Sequence, residues 1–446
     1  MALAFLAAHT VYVVTIGADV AYMDSLRYIG YYFERPWDGV AWARFWNQGD
    51  HHGLISQLVL WLNIRVLGMN VLVVNVLTGF VLLGTALVLF ASYLRFARIR
   101  GQSPGAARAL LVLAAMLSIV FSLAGFELYT LDLGFPENLR NGMFLALGCW
   151  LLQRERRLGV VGCSLLSLAL LALMLLCAYG RIYSFAGALM VAAMLASVRG
   201  EWNAGRAALI CTVVTVVLGL AAYMVLGAVL PKGIGSTGLQ HVSPVAAVRA
   251  ILFGASSSFL GMETIDHFAI PLVAVGCVGA LLLGLLAWRC VSYLVAVRGC
   301  GSVVPVFLIA YGSITLLAVA FSRGSEPLGA MASRYYPDVC WLLLGLVWIL
   351  ATHADIGRRS RWLTYLLLLP VLIGYCLSQV TETVIWPYRA EAFATMRRAT
   401  LTCDGVPDSS VALLQANNHE ILQHAIDLQR HYRLGVWRHA VTPCSN

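Results

Sequence analysis

Charge and lysine are both scarce in this sequence. Charged residues occupy 11% of the 446 positions, and Lys232 is the only lysine among 30 basic residues. No P-loop and no C-x-x-C pair occurs, which argues against a nucleotide-driven or zinc-ribbon protein. The basic residues lie mostly in short loops between apolar runs, so the net charge of +9 indicates membrane topology and no nucleic-acid partner.

Long apolar runs dominate the rest of the sequence. Hydrophobic residues make up 60% of the chain and the mean hydropathy is +0.82, which is typical of an all-α integral membrane protein. The runs predict about 11 transmembrane helices, at 2–18, 70–94, 108–126, 138–152, 159–178, 182–198, 207–230, 269–288, 303–321, 337–352 and 362–380.

The charges of the connecting loops predict how these helices are oriented. With a cytoplasmic N-terminus, the cytoplasmic loops hold fourteen arginines and three acidic residues, and 18 of the 21 acids lie on the outer side. The excess of arginine is what the positive-inside rule requires. We therefore expect a transmembrane domain at 1–380, with a long first outer loop at 19–69, and a small outer C-terminal tail at 381–446.

The first outer loop carries the candidate catalytic acids. Asp19 and Asp24 directly follow the first span, where a carboxylate can accept the proton of an attacking hydroxyl group. The sequence leaves open which of the two is the base. The alternative for either acid is a solvated loop residue or a helix cap.

A second polar group in this loop consists of Asp50, His51 and His52, which are candidate substrate contacts. The aspartate oxygen suits a divalent cation such as Mg²⁺, Mn²⁺ or Ca²⁺, which is the one cofactor expectation. No complete metal site follows, because neighbouring histidines on one backbone usually point apart. The alternative is a cap for the segment 54–68, an amphipathic helix expected to lie in the membrane interface.

Four basic residues on the outer side are candidates for binding a lipid phosphate. Arg323 and Arg334 lie eleven residues apart in one loop, and guanidinium groups match phosphate oxygens with two parallel hydrogen bonds. Lys232 and Arg181 are weaker candidates for the same role. The alternative is that these side chains reach out to lipid headgroups without binding a donor.

Two residue pairs complete the predicted features. Glu137 and Arg140, in PENLR, are candidate substrate contacts that can instead pair with each other or cap a helix. Cys403 and Cys444 both lie in the outer tail, an oxidising environment in this topology, and are expected to form a disulfide.

Two stretches, FWNQGDHHG (45–53) and SRGSEPLGAMASRYY (322–336), together with Asp19 and Asp24 after the first span, resemble elements of the GT-C class of polytopic glycosyltransferases. The resemblance implies a GT-C-like bundle in the bacterial inner membrane and inverting sugar transfer from a polyprenyl-phosphate donor on the periplasmic face. Pilin arabinofuranosyltransferases and O-antigen-modifying transferases are similar in size and class, so the resemblance implies a cell-envelope protein or glycan as the acceptor. Asp24 departs from the adjacent acidic pair that many GT-C loops carry, because Ser25 follows it.

Other polytopic membrane proteins are alternatives to this interpretation. A transporter or a lipid-linked-sugar flippase would place ionisable residues near helix midplanes and would show internal repeats. Here the acids collect at the outer helix ends, and we find no repeat. A polysaccharide polymerase or ligase would rely more on arginine and histidine than on a carboxylate in the first loop.

Overall fold

The chain folds almost entirely into α-helices. The computed structural model describes residues 1–34, 43, 47–48, 51–52, 54–99, 104–153, 159–176, 181–198, 205–230, 243–296, 302–323, 326–352, 358–403, 405–416 and 418–440. Within these ranges the only strands are a two-residue antiparallel pair, β1 (Asn47–Gln48) and β2 (His51–His52).

The helices vary in length from one turn to more than ten turns. In chain order they are α1 (Ala2–Thr15), α2 (Asp24–Glu34), α3 (Ile55–Leu67), α4 (Val71–Ile99), α5 (Ala106–Val120), α6 (Glu127–Thr130), α7 (Gly134–Leu152), α8 (Val160–Leu176), α9 (Ile182–Val198), α10 (Gly205–Val229), α11 (Pro244–Ser256), α12 (Met262–His267), α13 (Leu272–Ala296), α14 (Val304–Arg323), α15 (Tyr336–Val339), α16 (Trp341–Thr352), α17 (Arg358–Thr400), α18 (Ser409–Leu413) and α19 (His419–His431). Short 3₁₀ turns lie at Leu123–Gly125, Pro327–Met331, Ser333–Tyr335 and Gly435–His439.

The prediction of an all-α membrane protein is confirmed at this level. In the described part of the chain, six helical segments are long and apolar enough to cross a membrane: Val71–Ile99, Ala106–Gly125, Leu272–Ala296, Val304–Arg323, Ser333–Thr352 and Trp362–Thr400. Each of the other five predicted spans also contains a helix. Three of those helices, α1, α8 and α9, have only 14 or 17 residues, so the count of eleven spans stays a prediction.

Local sequence explains where several helices begin and end. Helix α3 ends at Gly68, whose φ of 59° lies in the left-handed region that glycine adopts at little cost. Two residues later the Asn70 side chain accepts a hydrogen bond from the backbone N–H of Val73 and so caps the start of α4. Ser243 caps α11 in the same way, and Pro244 takes the first helical position, where no N–H is needed.

Helix α3 exposes an apolar face, as its predicted amphipathic character requires. Leu58 and Leu62 are both exposed, whereas the polar side chains of Gln57 and Asn63 are buried on the opposite face. The helix therefore presents Leu58 and Leu62 outward and Gln57 and Asn63 to the protein, which is the arrangement expected for a surface covered by lipid.

The main core surrounds α16, which is buried along most of its length. The indole rings of Trp341 and Trp348 are almost fully buried, and each removes a large apolar area from solvent. The Tyr311 ring of α14 stacks on Trp341 with the two centroids 4.0 Å apart. This stacking fixes the direction of the Tyr311 hydroxyl group, which reaches the polar cluster described below.

A second core joins the segment after α1 to the C-terminal tail. Helix α2 packs against α19, and the Phe33 and Tyr432 rings stack with centroids 4.4 Å apart. Helix α17 continues to Thr400, well past the predicted end of the last span at 380. Cys403, just beyond it, is disulfide-bonded, and its predicted partner Cys444 lies outside the described residues.

Candidate functional site

Three of the four predicted phosphate-binding residues meet at one aromatic ring. The guanidinium carbon of Arg181 lies 5.5 Å from the centroid of the Tyr335 ring, and that of Arg334 lies 5.6 Å from it. The third, Arg323, donates a hydrogen bond from Nε to the Tyr335 hydroxyl at 3.1 Å. The fourth candidate, Lys232, lies outside the described residues.

Arg334 is anchored by Glu127 at the start of α6 but is not enclosed. Its Nη1 lies 3.4 Å from Glu127 Oε1, and its backbone N–H donates to Glu127 Oε2 at 3.3 Å. The Ser333 hydroxyl donates to the same Oε2 at 2.9 Å. The Arg334 side chain keeps 34% of its surface exposed, and Arg323 is exposed as well. Both guanidinium groups can therefore reach a ligand.

Below this exposed layer lies a largely buried ionic network centred on Asp338. Arg181 Nε lies 2.7 Å from Asp338 Oδ2, and Arg140 Nη2 lies 3.2 Å from Oδ1. The Tyr311 hydroxyl donates to Oδ1 at 2.7 Å. Two arginines share one carboxylate, so the network carries a net positive charge in a low-dielectric environment.

Asn141 ties the same network to the backbone. Its Oδ1 accepts hydrogen bonds from Nε and Nη2 of Arg140 at 3.1 and 3.0 Å, and its Nδ2 donates to the Pro337 carbonyl at 3.3 Å. The Arg140 side chain is only 1% exposed. Its partners include Asp338 and Asn141, while a direct role in substrate binding stays a prediction.

Glu137 lies next to this network, one residue ahead of the predicted span at 138–152. Its side chain is partly buried in the first turn of α7. Whether it contacts substrate stays a prediction.

Asp24 opens α2 on the same side of the molecule as Arg334. Its Oδ1 accepts a hydrogen bond from Arg27 Nη2 at 2.7 Å, one helical turn further on, and the Asp24 side chain is 41% exposed. The negative charge of Asp24 also acts on the Arg334 guanidinium group. A candidate base and a candidate phosphate ligand therefore share one electrostatic environment.

Asp19 lies in a different environment from Asp24. Its Oδ2 is 3.0 Å from Arg397 Nη1, at the end of α17. Burial raises the pKa of Asp19, and the Arg397 charge opposes that rise. The structure pairs Asp24 with Arg27, within electrostatic range of Arg334, and pairs Asp19 with Arg397 near the tail, although which acid is the base stays a prediction.

The remaining predicted contacts are described only in part. His51 and His52 form β2, opposite Gln48 and Asn47 in the antiparallel pair, whereas Asp50 lies outside the described residues. No group of three or more histidine, cysteine, aspartate and glutamate side chains is placed to hold a metal ion in the described ranges. The proposed divalent-cation contact at 50–52 stays a prediction.

A buried carboxyl group holds the segment next to Asp24 in place. The Ser25 hydroxyl donates a short hydrogen bond to Asp132 Oδ1, in the loop between α6 and α7. Burial raises the pKa of Asp132 from 3.8 to about 6, and the Ser25 hydrogen bond opposes that rise. The folded protein therefore binds a proton at Asp132 more tightly than the unfolded chain does.

This proton affinity predicts a pH-dependent stability. Between the unfolded pKa near 4 and the folded pKa of about 6, rising pH removes the proton from the unfolded state while the folded state keeps it, so Asp132 costs up to about 3 kcal/mol of stability above pH 6. We expect Asp132→Asn, which keeps the hydrogen-bond acceptor, to raise the unfolding temperature relative to wild type more at pH 7.5 than at pH 4.5. Thermal unfolding of the detergent-purified protein at both pH values measures this difference. A variant whose relative stability is the same at both pH values would contradict the assignment.

Five residues of the site were not predicted from the sequence: Asp338, Tyr335, Glu127, Tyr311 and Asn141. The stretch SRYYPD contains a usable signal, because Asp338 directly precedes an apolar run, and an acid that enters a buried helix needs a cationic partner. The identity of that partner was not readable, since Arg140 lies 198 positions away in the chain.

Comparison of the chain with protein-family models, curated proteins and solved structures finds no match in any of the three. The chemistry of the site therefore rests on its own geometry.

Proposed function

We propose that this chain is an inverting membrane glycosyltransferase that moves a sugar from a polyprenyl-phosphate donor to an acceptor of the cell envelope. One observation carries the proposal: Arg181, Arg323 and Arg334 converge on Tyr335, with Asp24 acting on Arg334. Such a transfer needs two groups on the protein. A cationic site stabilises the phosphate leaving group, and a base accepts the proton of the attacking hydroxyl group.

The exposed arginines supply the donor site in this proposal. Arg323 and Arg334 bind the phosphate oxygens of the lipid donor and stabilise the charge that grows as the glycosidic bond breaks. Arg181 is held by Asp338 at 2.7 Å, so it adds a fixed positive charge at the base of the site. A fixed charge needs no reorganisation when the leaving group departs, which is why preorganised sites are effective.

Asp24 acts as the base toward the acceptor hydroxyl group. Its exposure of 41% leaves room for an acceptor, and the hydrogen bond from Arg27 holds its carboxylate in one orientation. Inverting transfer needs a single carboxylate on the acceptor side, whereas glycosidases commonly use two. Attack from the side opposite the phosphate then inverts the anomeric carbon.

The proposal includes the number of membrane spans and the side of the membrane on which each terminus lies. Eleven spans form a GT-C-like bundle in the bacterial inner membrane, with the N-terminus in the cytoplasm and the C-terminus in the periplasm. The arginine-rich loops face the cytoplasm and the acid-rich loops face the periplasm. The donor then enters from the bilayer, and the acceptor, a protein or a glycan, approaches from the periplasm.

Removing the Arg334 side chain tests the donor site. We expect Arg334→Ala to raise the KM for the polyprenyl-phosphate sugar by about 10- to 100-fold, the effect of losing one charge-assisted hydrogen bond to phosphate. Steady-state transfer rates in a detergent-purified preparation, measured over a range of donor concentrations, give this value. Arg398→Ala, an exposed arginine on α17, is the matched control. An unaltered donor KM in Arg334→Ala would contradict the proposed phosphate contact.

A membrane transporter is the second candidate, favoured by the fully buried Asp338 between Arg140 and Arg181. Buried ionisable groups in membrane helices are typical of transport pathways. Proteoliposomes separate the two functions, because a transferase yields a glycosylated product without a gradient, whereas a transporter moves its substrate across the bilayer and leaves it chemically unchanged.

A further inference from the structure

A cavity lies in a part of the molecule lined by none of the residues of the arginine cluster at Tyr335. It has a volume of about 160 Å³ and forms where the segment after α1, the α3–α4 turn, the end of α17 and the last 3₁₀ turn meet. Its charged wall consists of Asp19, Arg397 and Arg438. The size suits one small polar ligand or one sugar unit of a larger molecule.

The charges on the cavity wall do not balance. Arg397 Nη1 pairs with Asp19 Oδ2 at 3.0 Å. Arg438 donates from Nη1 to the Leu67 carbonyl at 2.6 Å, and it makes no ion pair with any carboxylate in the described residues. The wall therefore carries two positive charges and one negative charge.

The position of Arg438 is set by close backbone packing. Its Nε lies 3.0 Å from the point that a Cβ on Gly68 would occupy, and Gly68 has a φ of 59°. Gly435, whose φ is 55°, lines the cavity from the other side. Gly68 thus leaves room for the Arg438 guanidinium group against the α3–α4 turn, with part of its hydrogen-bonding edge left for a ligand.

We propose that this cavity binds an oxyanion, the carboxylate or phosphate group of a small polar ligand, between Arg397 and Arg438. Guanidinium groups match the planar oxygens of a carboxylate and the oxygens of a phosphate with paired hydrogen bonds. Asp19 opposes the anion and limits its affinity. This inference does not depend on the glycosyltransferase proposal, in which Asp24 and the arginines at Tyr335 carry the chemistry.

Whether removal of the Asp19 charge strengthens or weakens ligand binding distinguishes an anion site from a cation or neutral-sugar site. Binding of an oxyanion strengthens when the neighbouring carboxylate loses its charge, whereas binding of a cation or a neutral sugar through Asp19 weakens. We expect Asp19→Asn to bind the anion at least about threefold more tightly than wild type, because one repulsive charge at close range is removed.

The experiment titrates detergent-purified full-length protein with inorganic phosphate, with glucuronate and with glucose, using isothermal titration calorimetry at constant ionic strength. We expect saturable binding of phosphate or glucuronate and none of glucose, a loss of at least about tenfold in affinity in Arg438→Gln, and tighter binding in Asp19→Asn. Binding of phosphate but not glucuronate would identify a phosphate-bearing ligand. Binding of glucuronate but not phosphate would identify an acidic sugar.

Two controls keep the result interpretable. Arg398→Gln changes an exposed arginine next to Arg397 and should leave the affinity unaltered. Val436→Phe fills the cavity without changing its charge, and it should abolish binding even if Arg438→Gln folds poorly. Binding of glucose with equal affinity, weaker anion binding in Asp19→Asn, or no binding of any probe would overturn the proposal.

Discussion

Replacing Asp338 with alanine is expected to destabilise the protein by about 3–5 kcal/mol, the cost of leaving buried cations without their counter-charge. Asp338 is completely buried, and it is the shared partner of Arg140 and Arg181. Without it, two guanidinium groups remain in the low-dielectric interior with one fewer anion. Thermal unfolding of the detergent-purified variant measures the loss.

A more exposed ion pair at the same site provides the matched control. Glu127→Gln removes the carboxylate that pairs with Arg334 at 3.4 Å, where Arg334 is 34% exposed. Because this pair is partly exposed and glutamine keeps an oxygen that can accept the Ser333 hydrogen bond, the variant should lose less stability than Asp338→Ala. Equal unfolding temperatures for Asp338→Ala and Glu127→Gln would show that Asp338 does not hold the network together.

Replacing Asp24 with asparagine is expected to lower kcat for sugar transfer by about 10²- to 10⁴-fold, the range for loss of a general base. The amide keeps the shape of the side chain and cannot accept the proton. The donor KM should change little, because Arg323 and Arg334 bind the phosphate. Rates at saturating donor, with expression and unfolding temperature matched to wild type, give the comparison.

Asp427 is a close structural match for Asp24 and serves as its control. Its carboxylate lies 2.7 Å from the Arg430 guanidinium group, one helical turn further on, and the Asp427 side chain is 42% exposed. The Asp24 carboxylate lies 2.7 Å from the Arg27 guanidinium group, and the Asp24 side chain is 41% exposed. Asp427→Asn should therefore report the cost of breaking such a pair without touching the site. Full activity in Asp24→Asn, or an equal loss in Asp427→Asn, would remove Asp24 as the base.

The helices themselves could be read from the sequence. The apolar run at 182–198 corresponds to α9 (Ile182–Val198), and the run at 70–94 corresponds to α4 (Val71–Ile99). A bilayer offers no water to hydrogen-bond the backbone, so a long apolar segment must satisfy its backbone groups internally by forming a helix. Composition alone therefore locates such helices. The ends are less predictable, because α17 continues to Thr400 through a polar sequence that packs on the tail.

The partners within the site could be read only in part. Arg323 and Arg334 were chosen because guanidinium groups suit phosphate, and the structure brings both to Tyr335. The pairing of Asp338 with Arg140 could not be chosen in this way, since it joins helices that are distant in sequence. Local spacing indicates which residues share a helix face, but contacts between helices depend on packing that one sequence does not reveal.

The stereochemistry of the product tests the central claim most directly. Purified protein in detergent is incubated with a radiolabelled polyprenyl-phosphate sugar and an envelope acceptor fraction, and the anomeric configuration of the transferred sugar is determined. We predict a glycosylated acceptor with the anomeric carbon inverted relative to the donor, formed by wild type and not by Asp24→Asn. Retention of the donor configuration, or release of unchanged donor without any glycosylated product, would contradict the proposed function.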